Sequence, residues 1–98
     1  MNVQEVIERL RSHKALLDEF SIRSLSVFGS VVRGEAGTGS DVDILVEFLP
    51  DAHIGLFKFA RLQRRLSEVI GRPVDLATPD ALHPAMKNRI LQETVHAA

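Results

Sequence analysis

The seven residues Val42–Phe48, VDILVEF, constrain the fold of this chain more than any other segment. Every second residue from Val42 to Phe48 is apolar, which predicts a β-strand whose apolar face packs on the core. Asp41 and Asp43 leave the opposite face about 6–7 Å apart, because a strand rises about 3.3 Å per residue. A slip of one residue would bury both carboxylates, so the register of this strand is fixed.

The rest of the pattern predicts three helices and two further strands. Their predicted bounds are a helix over residues 2–19, a strand over 24–28, a turn region over 29–40, a helix over 56–70 capped by Gly71, a strand over 73–77 and a helix over 84–95. The second helix is expected to turn inward its apolar stripe, namely Leu56, Phe59, Leu62, Leu66, Val69 and Ile70. In the last helix the inward residues are expected to be Met86, Ile90 and Leu91.

The connections between these elements predict how the strands pair. The connection between the first two strands is short and mostly irregular, which favours an antiparallel pair. The second connection contains a full helix, which suits a right-handed parallel crossover. The expected fold class is therefore α+β, with a small mixed sheet and helices packed mainly on one face. The whole chain, residues 1–98, is expected to form one domain.

Composition excludes several classes of function. Lys and Arg number 12 against 13 Asp and Glu, a net charge of −1, which argues against general nucleic-acid binding. The absence of cysteine excludes disulfides, cysteine-bound zinc and thiol nucleophiles. No apolar run approaches the roughly 20 residues that span a bilayer, and the N-terminus does not resemble a signal peptide. We therefore expect a cytoplasmic protein without membrane contact.

Acidic residues on two strands and a glycine-serine turn are the candidate site. At an effective dielectric constant of about 20, Asp41 and Asp43 repel each other by about 2–3 kcal/mol, and a divalent cation such as Mg²⁺ would reverse that penalty. Asp75 can complete a three-carboxylate cluster if its strand is the neighbour, and such a cluster could hold two magnesium ions. Gly29 lets the backbone approach a phosphate, while the N–H groups and the hydroxyl after it, starting at Ser30, would bind that phosphate.

These residues resemble the minimal nucleotidyltransferases that have the DNA-polymerase-beta-like fold. The pattern is Gly29-Ser30, ten residues, Asp41-x-Asp43 and a later single Asp75, and the likeness extends over nearly the whole chain through FGSVVRGEAGTGSDVDILVEF, GLFKFARLQRRLSEVIGRPVDLAT and LHPAMKNRILQE. The resemblance implies that Asp41 and Asp43 ligate both metals. It implies that Asp75 ligates the catalytic metal and helps to activate the acceptor hydroxyl, while Gly29 and Ser30 hold the nucleotide phosphates.

The short branch of this family resembles the antitoxins of HEPN–nucleotidyltransferase toxin–antitoxin pairs. The resemblance implies transfer of AMP from ATP to a tyrosine hydroxyl of a HEPN-domain toxin, which silences the toxin. A chain of 98 residues has little room for walls around both base and acceptor, so the acceptor is expected on another chain. Two alternatives stay open: a non-catalytic antitoxin that inhibits by contact, and a nucleotidyltransferase that acts on a small molecule or an RNA end.

Two further residues have competing interpretations. Arg33 matches a recurrent arginine of the family and is a candidate phosphate ligand, but it can equally form a surface ion pair with Glu35 or Asp41. Ser40 is also a candidate phosphate ligand, although shaping the turn before Asp41 is the simpler role.

Overall fold

The computed structural model describes residues 1–35, 37 and 40–98. These ranges contain four helices and four strands: α1 Val3–Arg11, α2 Ala15–Glu19, β1 Ile22–Phe28, β2 Val42–Phe48, α3 Leu56–Ile70, β3 Val74–Ala77, α4 Pro84–Glu93 and β4 Val95–His96. Short 3₁₀ turns follow β1 at Gly29–Val31 and β3 at Pro79–Ala81. Positions 36, 38 and 39 of the predicted turn region lie outside the described residues. No helix in the described ranges is long and apolar enough to cross a bilayer.

The strands form one mixed sheet in the order β3-β2-β1-β4. As predicted, β1 pairs antiparallel with β2, and β2 pairs parallel with β3 across the helical connection. The fourth strand, which the sequence did not predict, pairs antiparallel with β1 through Val95 and His96. The predicted α+β class with a small mixed sheet is therefore confirmed.

The main core lies between one face of the sheet and the helices α1, α2 and α3. Alternate residues of β2 belong to it, and Ile44 and Val46 are fully buried. The helices contribute their apolar stripes to the same cluster, namely Val6, Ile7, Leu10, Leu16, Leu62, Leu66 and Ile70. The predicted apolar face of β2 is thus confirmed, and with it the face on which the aspartates emerge.

Several predicted details of the helices are wrong. The predicted helix over residues 2–19 is two helices, because the chain leaves the helical path between Ser12 and Lys14. Leu56 was expected inside but is 80% exposed, because the first turn of α3 extends beyond the packed part of the helix. On α4, Met86 is 50% exposed and Leu91 is 39% exposed, so this helix buries no residue fully. It also ends at Glu93 rather than at residue 95, because β4 begins there.

Candidate active site

The sheet topology brings the end of β1 next to the starts of β2 and β3. Because β1 is antiparallel to β2, its last residue Phe28 lies opposite Asp43. Because β3 is parallel to β2, Asp75 lies beside Asp43 on the other side. Paired residues of neighbouring strands project from the same face of a sheet. The carboxylates of Asp43 and Asp75 therefore share one face, next to the point where the chain leaves β1.

Gly29 makes the turn that follows β1, and two observations require a glycine there. Its φ of +77° lies in the left-handed region that residues with a Cβ rarely adopt. A Cβ at this position would overlap Oδ2 of Asp43 and would lie 2.9 Å from its Cγ. The backbone of Gly29 and the Asp43 carboxylate are thus in direct contact.

The chain forms a short 3₁₀ turn at Gly29–Val31, which presents backbone N–H groups. The carbonyl of Gly29 accepts from the N–H groups of Val32 and Arg33, and the carbonyl of Ser30 accepts from Glu35 N at 2.9 Å. Within the described part of the chain, the N–H groups of Ser30 and Val31 have no hydrogen-bond partner. Such N–H groups at the start of a helical turn suit an anion.

Negative charge accumulates around Asp43. Burial raises the pKa of its carboxyl, and the carboxylates of Asp75 and then Asp41 raise that pKa further, while the cationic Arg33 lowers it. Asp41, one residue before β2, is exposed, and so is Asp75. The site therefore has an excess of negative charge that a bound cation would neutralise.

The carboxylate oxygens of Asp41, Asp43 and Asp75 are chemically suited to bind a divalent cation. Carboxylate oxygens are hard ligands of the kind that Mg²⁺ prefers, and the charge excess favours a cation. Among residues 1–35, 37 and 40–98, however, no three His, Cys, Asp or Glu side chains are gathered closely enough to enclose a metal ion. Asp43 and Asp75 are direct strand neighbours, and Asp41 acts on Asp43 through its charge. The metal-binding role of the three aspartates stays a prediction.

Arg33 lies between two glutamates. Its Nε donates to Glu35 at 3.0 Å, so the predicted pair with Glu35 is present. Its Nη1 donates to both carboxylate oxygens of Glu93, at 3.1 and 3.2 Å. A second donor reaches the same carboxylate, since Gly29 N lies 3.1 Å from Glu93 Oε1. Arg33 as a phosphate ligand stays a prediction.

Glu93 is the residue of this site that the sequence analysis missed. It is the last residue of α4, and a helix C-terminus disfavours negative charge because the partial charge of the carbonyls there is negative. An acidic residue at a helix C-terminus was the available signal, because its unfavourable charge indicates a hydrogen-bond donor or a cation elsewhere in the fold. The partners, Gly29 and Arg33, are 64 and 60 residues away in sequence, beyond the reach of any local pattern.

Ser40 has a local partner. Its hydroxyl oxygen accepts a hydrogen bond from Gly37 N at 3.1 Å, and its own N–H donates to the carbonyl of Gly37 at 3.2 Å. These contacts give Ser40 the turn-shaping role that the sequence suggested, while its role as a phosphate ligand stays a prediction.

A surface cleft of about 390 Å³ lies away from the aspartates. Its lining residues come from the C-terminal end of β2 and from the turn that follows β3, namely Val46, Glu47, Phe48, Thr78, Pro79 and Asp80. Glu47 lies four residues beyond Asp43, about 13 Å along the strand. The cleft is therefore separate from the carboxylate pair and the Gly29 turn.

Comparison with known proteins agrees with this geometry. Residues 7–96 match the family described as Nucleotidyltransferase domain. The protein adenylyltransferase MntA of Thermococcus cleftensis is 39% identical over 97 residues, which cover 98% of this chain and 96% of that protein.

Two solved structures extend the comparison. One is described as a minimal nucleotidyltransferase and is 32% identical to this chain, with a TM-score of 0.77. The match covers 97% of this chain and 95% of the solved chain. One chain of the complex between tri-AMPylated Shewanella oneidensis HEPN toxin and MNT antitoxin has 17% identity and a TM-score of 0.65, covering 96% of this chain and 71% of that chain. At that identity the second likeness shows the fold alone. With the family match and the MntA relative, it follows that this chain belongs to the nucleotidyltransferase domain family, among its minimal, MntA-like protein adenylyltransferases.

Proposed function

We propose that this chain transfers AMP from ATP to a tyrosine hydroxyl of a HEPN-domain toxin and thereby acts as its antitoxin. The observation that carries the proposal is the direct pairing of Asp43 with Asp75 beside the Gly29 turn, in a chain of the nucleotidyltransferase family. In the reaction the hydroxyl oxygen attacks the α-phosphorus, the bond from that phosphorus to the bridging oxygen breaks, and pyrophosphate leaves.

The residues of the site divide the work according to their chemistry. The N–H groups of Ser30 and Val31, together with the Ser30 hydroxyl, bind the phosphates of ATP. Gly29 lets the backbone and the phosphates come close without a side chain between them. Asp75, on the strand beside Asp43, accepts the proton of the attacking hydroxyl. Arg33 and Ser40 stay candidate phosphate ligands at the edge of this turn.

Asp41, Asp43 and Asp75 would hold Mg²⁺, in the form of two ions. When bound, Mg²⁺ would neutralise the negative charge on the attacking and leaving oxygens. Asp43 is central to this arrangement because it touches the Gly29 backbone and pairs with Asp75, so that the carboxylates and the phosphate-binding turn are held in one place.

The acceptor is proposed to come from another protein. The MntA relative is named a protein adenylyltransferase, and a complex with the same fold pairs an MNT antitoxin with an AMPylated HEPN toxin. The structure adds a physical reason, since the cleft of about 390 Å³ lined by Val46, Glu47 and Phe48 lies away from the aspartates. We propose that residues 1–98 act as one catalytic domain and that the reaction takes place in the cytoplasm, where ATP is plentiful.

The test is to incubate the purified chain with its HEPN-domain toxin, Mg²⁺ and ATP labelled at the α-phosphate. Label should appear on the toxin, whereas ATP labelled at the γ-phosphate should transfer none, because the β and γ phosphates leave as pyrophosphate. Asp43→Asn should lower the rate by about 100-fold or more, because it removes one charge from the site that stabilises the transition state. Removal of Mg²⁺ with EDTA should stop transfer altogether.

Glu47→Gln is the matched control. Glu47 lies on the same strand and the same face as Asp43 but is exposed at the far end, so this variant should keep the wild-type rate within about twofold. Failure to label the toxin, or equal rates for Asp43→Asn and Glu47→Gln, would exclude the proposed reaction. Inhibition of the toxin without nucleotide, unchanged in Asp43→Asn, would instead indicate an antitoxin that acts by contact alone.

A further inference from the structure

The side chain of Glu93, the last residue of α4, contacts the turn that follows β1. Its carboxylate accepts from Gly29 N and from Arg33 Nη1, and both of its oxygens are engaged by Arg33. The side chain of Glu93 is 19% exposed, against 38% for Arg33, so the contact is partly shielded from water. Charge-assisted hydrogen bonds in such a setting are stronger and more directional than exposed ion pairs.

Helix packing does not account for this contact. No residue of α4 is fully buried, whereas α3 buries Leu62, Leu66 and Ile70. The acidic group also lies at the helix end where the carbonyl dipoles oppose it. What Glu93 gains is the N–H of Gly29 and the guanidinium of Arg33, and both belong to the turn that follows β1.

The contact determines how the turn is presented. Gly29 carries a φ of +77° and touches Asp43, so the direction of its N–H sets where the following amides point. Gly29 N donates to Glu93, and the next two N–H groups, of Ser30 and Val31, have no partner among the described residues. Building on the proposed function, we infer that Glu93 is a positioning residue: it holds Gly29 and Arg33 so that the Ser30 and Val31 amides meet the phosphates of ATP.

A Glu93 carboxylate that competes with the phosphate would have the opposite effect on nucleotide affinity. If the Glu93 carboxylate merely occupied the place of a phosphate, ATP would have to displace it, and removal of the carboxylate would tighten nucleotide binding. A positioning role requires the reverse, since loss of the carboxylate would free the turn and weaken binding. The sign of the change in nucleotide affinity therefore separates the two.

The experiment measures binding of a non-hydrolysable ATP analogue with Mg²⁺ to the full chain by calorimetry, without any acceptor. Glu93→Ala should weaken binding by about 10-fold, and Glu93→Gln should weaken it less, because the amide oxygen can still accept from Gly29 N. Gln92→Ala, the exposed neighbour on the same helix, should bind as the wild type does. Arg33→Gln combined with Glu93→Ala should lose no more than the worse single variant, because the two side chains act as one unit.

Thermal unfolding of each variant is recorded alongside, and if Glu93→Ala fails to fold, Glu93→Gln alone decides the outcome. Unchanged or tighter analogue binding in the folded Glu93 variants would overturn the inference. Its failure is distinct from failure of the proposed function. Wild-type protein that binds the analogue but labels no toxin defeats the proposed reaction, while the binding series still tests Glu93. Toxin labelling with a Glu93 variant that binds as the wild type does defeats the inference alone.

Discussion

On one face of β2, Ile44 and Val46 are fully buried in the helix-covered core, whereas on the other face Asp43 is half-buried among like charges. The apolar side chains of the core face stabilise the fold because they are removed from water, and this gain depends little on which apolar residue packs against them. The acidic face combines burial with charge repulsion, which lowers stability in the absence of a cation. A single strand thus carries one face that stabilises the fold and another whose like charges reduce stability in the absence of a cation.

The largest effect expected from this contrast is on stability. Ile44→Ala should lower the free energy of unfolding by about 2–5 kcal/mol, because it removes fully buried methyl groups and leaves a cavity. Glu47→Ala, on the same strand but exposed on the opposite face, should change that free energy by less than about 0.5 kcal/mol. Urea unfolding of both variants measures the difference. Similar losses in the two variants would show that the two faces do not differ in the way described.

The same contrast explains which elements could be predicted from the sequence. The bounds of β2 were predicted correctly because alternation fixes both the strand and its buried face. α3 was predicted because its stripe runs to Ile70 and ends at Gly71, which adopts a φ of +79° as a left-handed helix cap. By contrast, the two residues of β4 are too few to carry a periodic pattern. Leu56 was misplaced because periodicity shows which face a residue is on but not where the neighbouring element ends.

Only those candidate site residues that a local sequence pattern or the strand order brings together could be predicted from the sequence. The spacing of Asp41 and Asp43 and the Gly29 turn are visible in the chain itself, and the parallel crossover places Asp75 beside Asp43. The role of Glu93 depends on where α4 ends in space, which no spacing rule gives. The residues that position a turn from a distant element are therefore the part of the site that needs the fold.

The next effect in size concerns the contact between Gly29 and Asp43. Gly29→Ala should cost about 1–2 kcal/mol of stability from its positive φ, and it should also displace the Asp43 carboxylate that its Cβ would overlap. Gly34→Ala is the matched control, because Gly34 has a φ of +74° but nothing within 4 Å of the new Cβ. We expect both variants to lose stability in urea and only Gly29→Ala to lose AMP transfer. Equal activity losses would mean that backbone strain, rather than contact with Asp43, is what the site requires.

The smallest effect has the opposite sign and tests the charge on the acidic face. Burial, Asp75 and Asp41 raise the pKa of Asp43 in the folded state, so between its ordinary value and the raised one the folded protein binds more protons than the unfolded chain. Stability should therefore fall as the pH rises through that window, and the loss of stability should be fully present at neutral pH.

Asp75→Asn removes one of the repelling charges and should stabilise the metal-free protein at pH 7 by about 0.5 kcal/mol, a small value because water screens a half-exposed group. The gain should shrink as the pH approaches about 4, where the carboxylate of Asp43 becomes protonated in both states. Urea unfolding in EDTA across this pH range measures it, with Glu47→Gln as the variant that should show no such trend. If Asp75→Asn destabilised the protein at neutral pH, the repulsion assigned to this face would be absent.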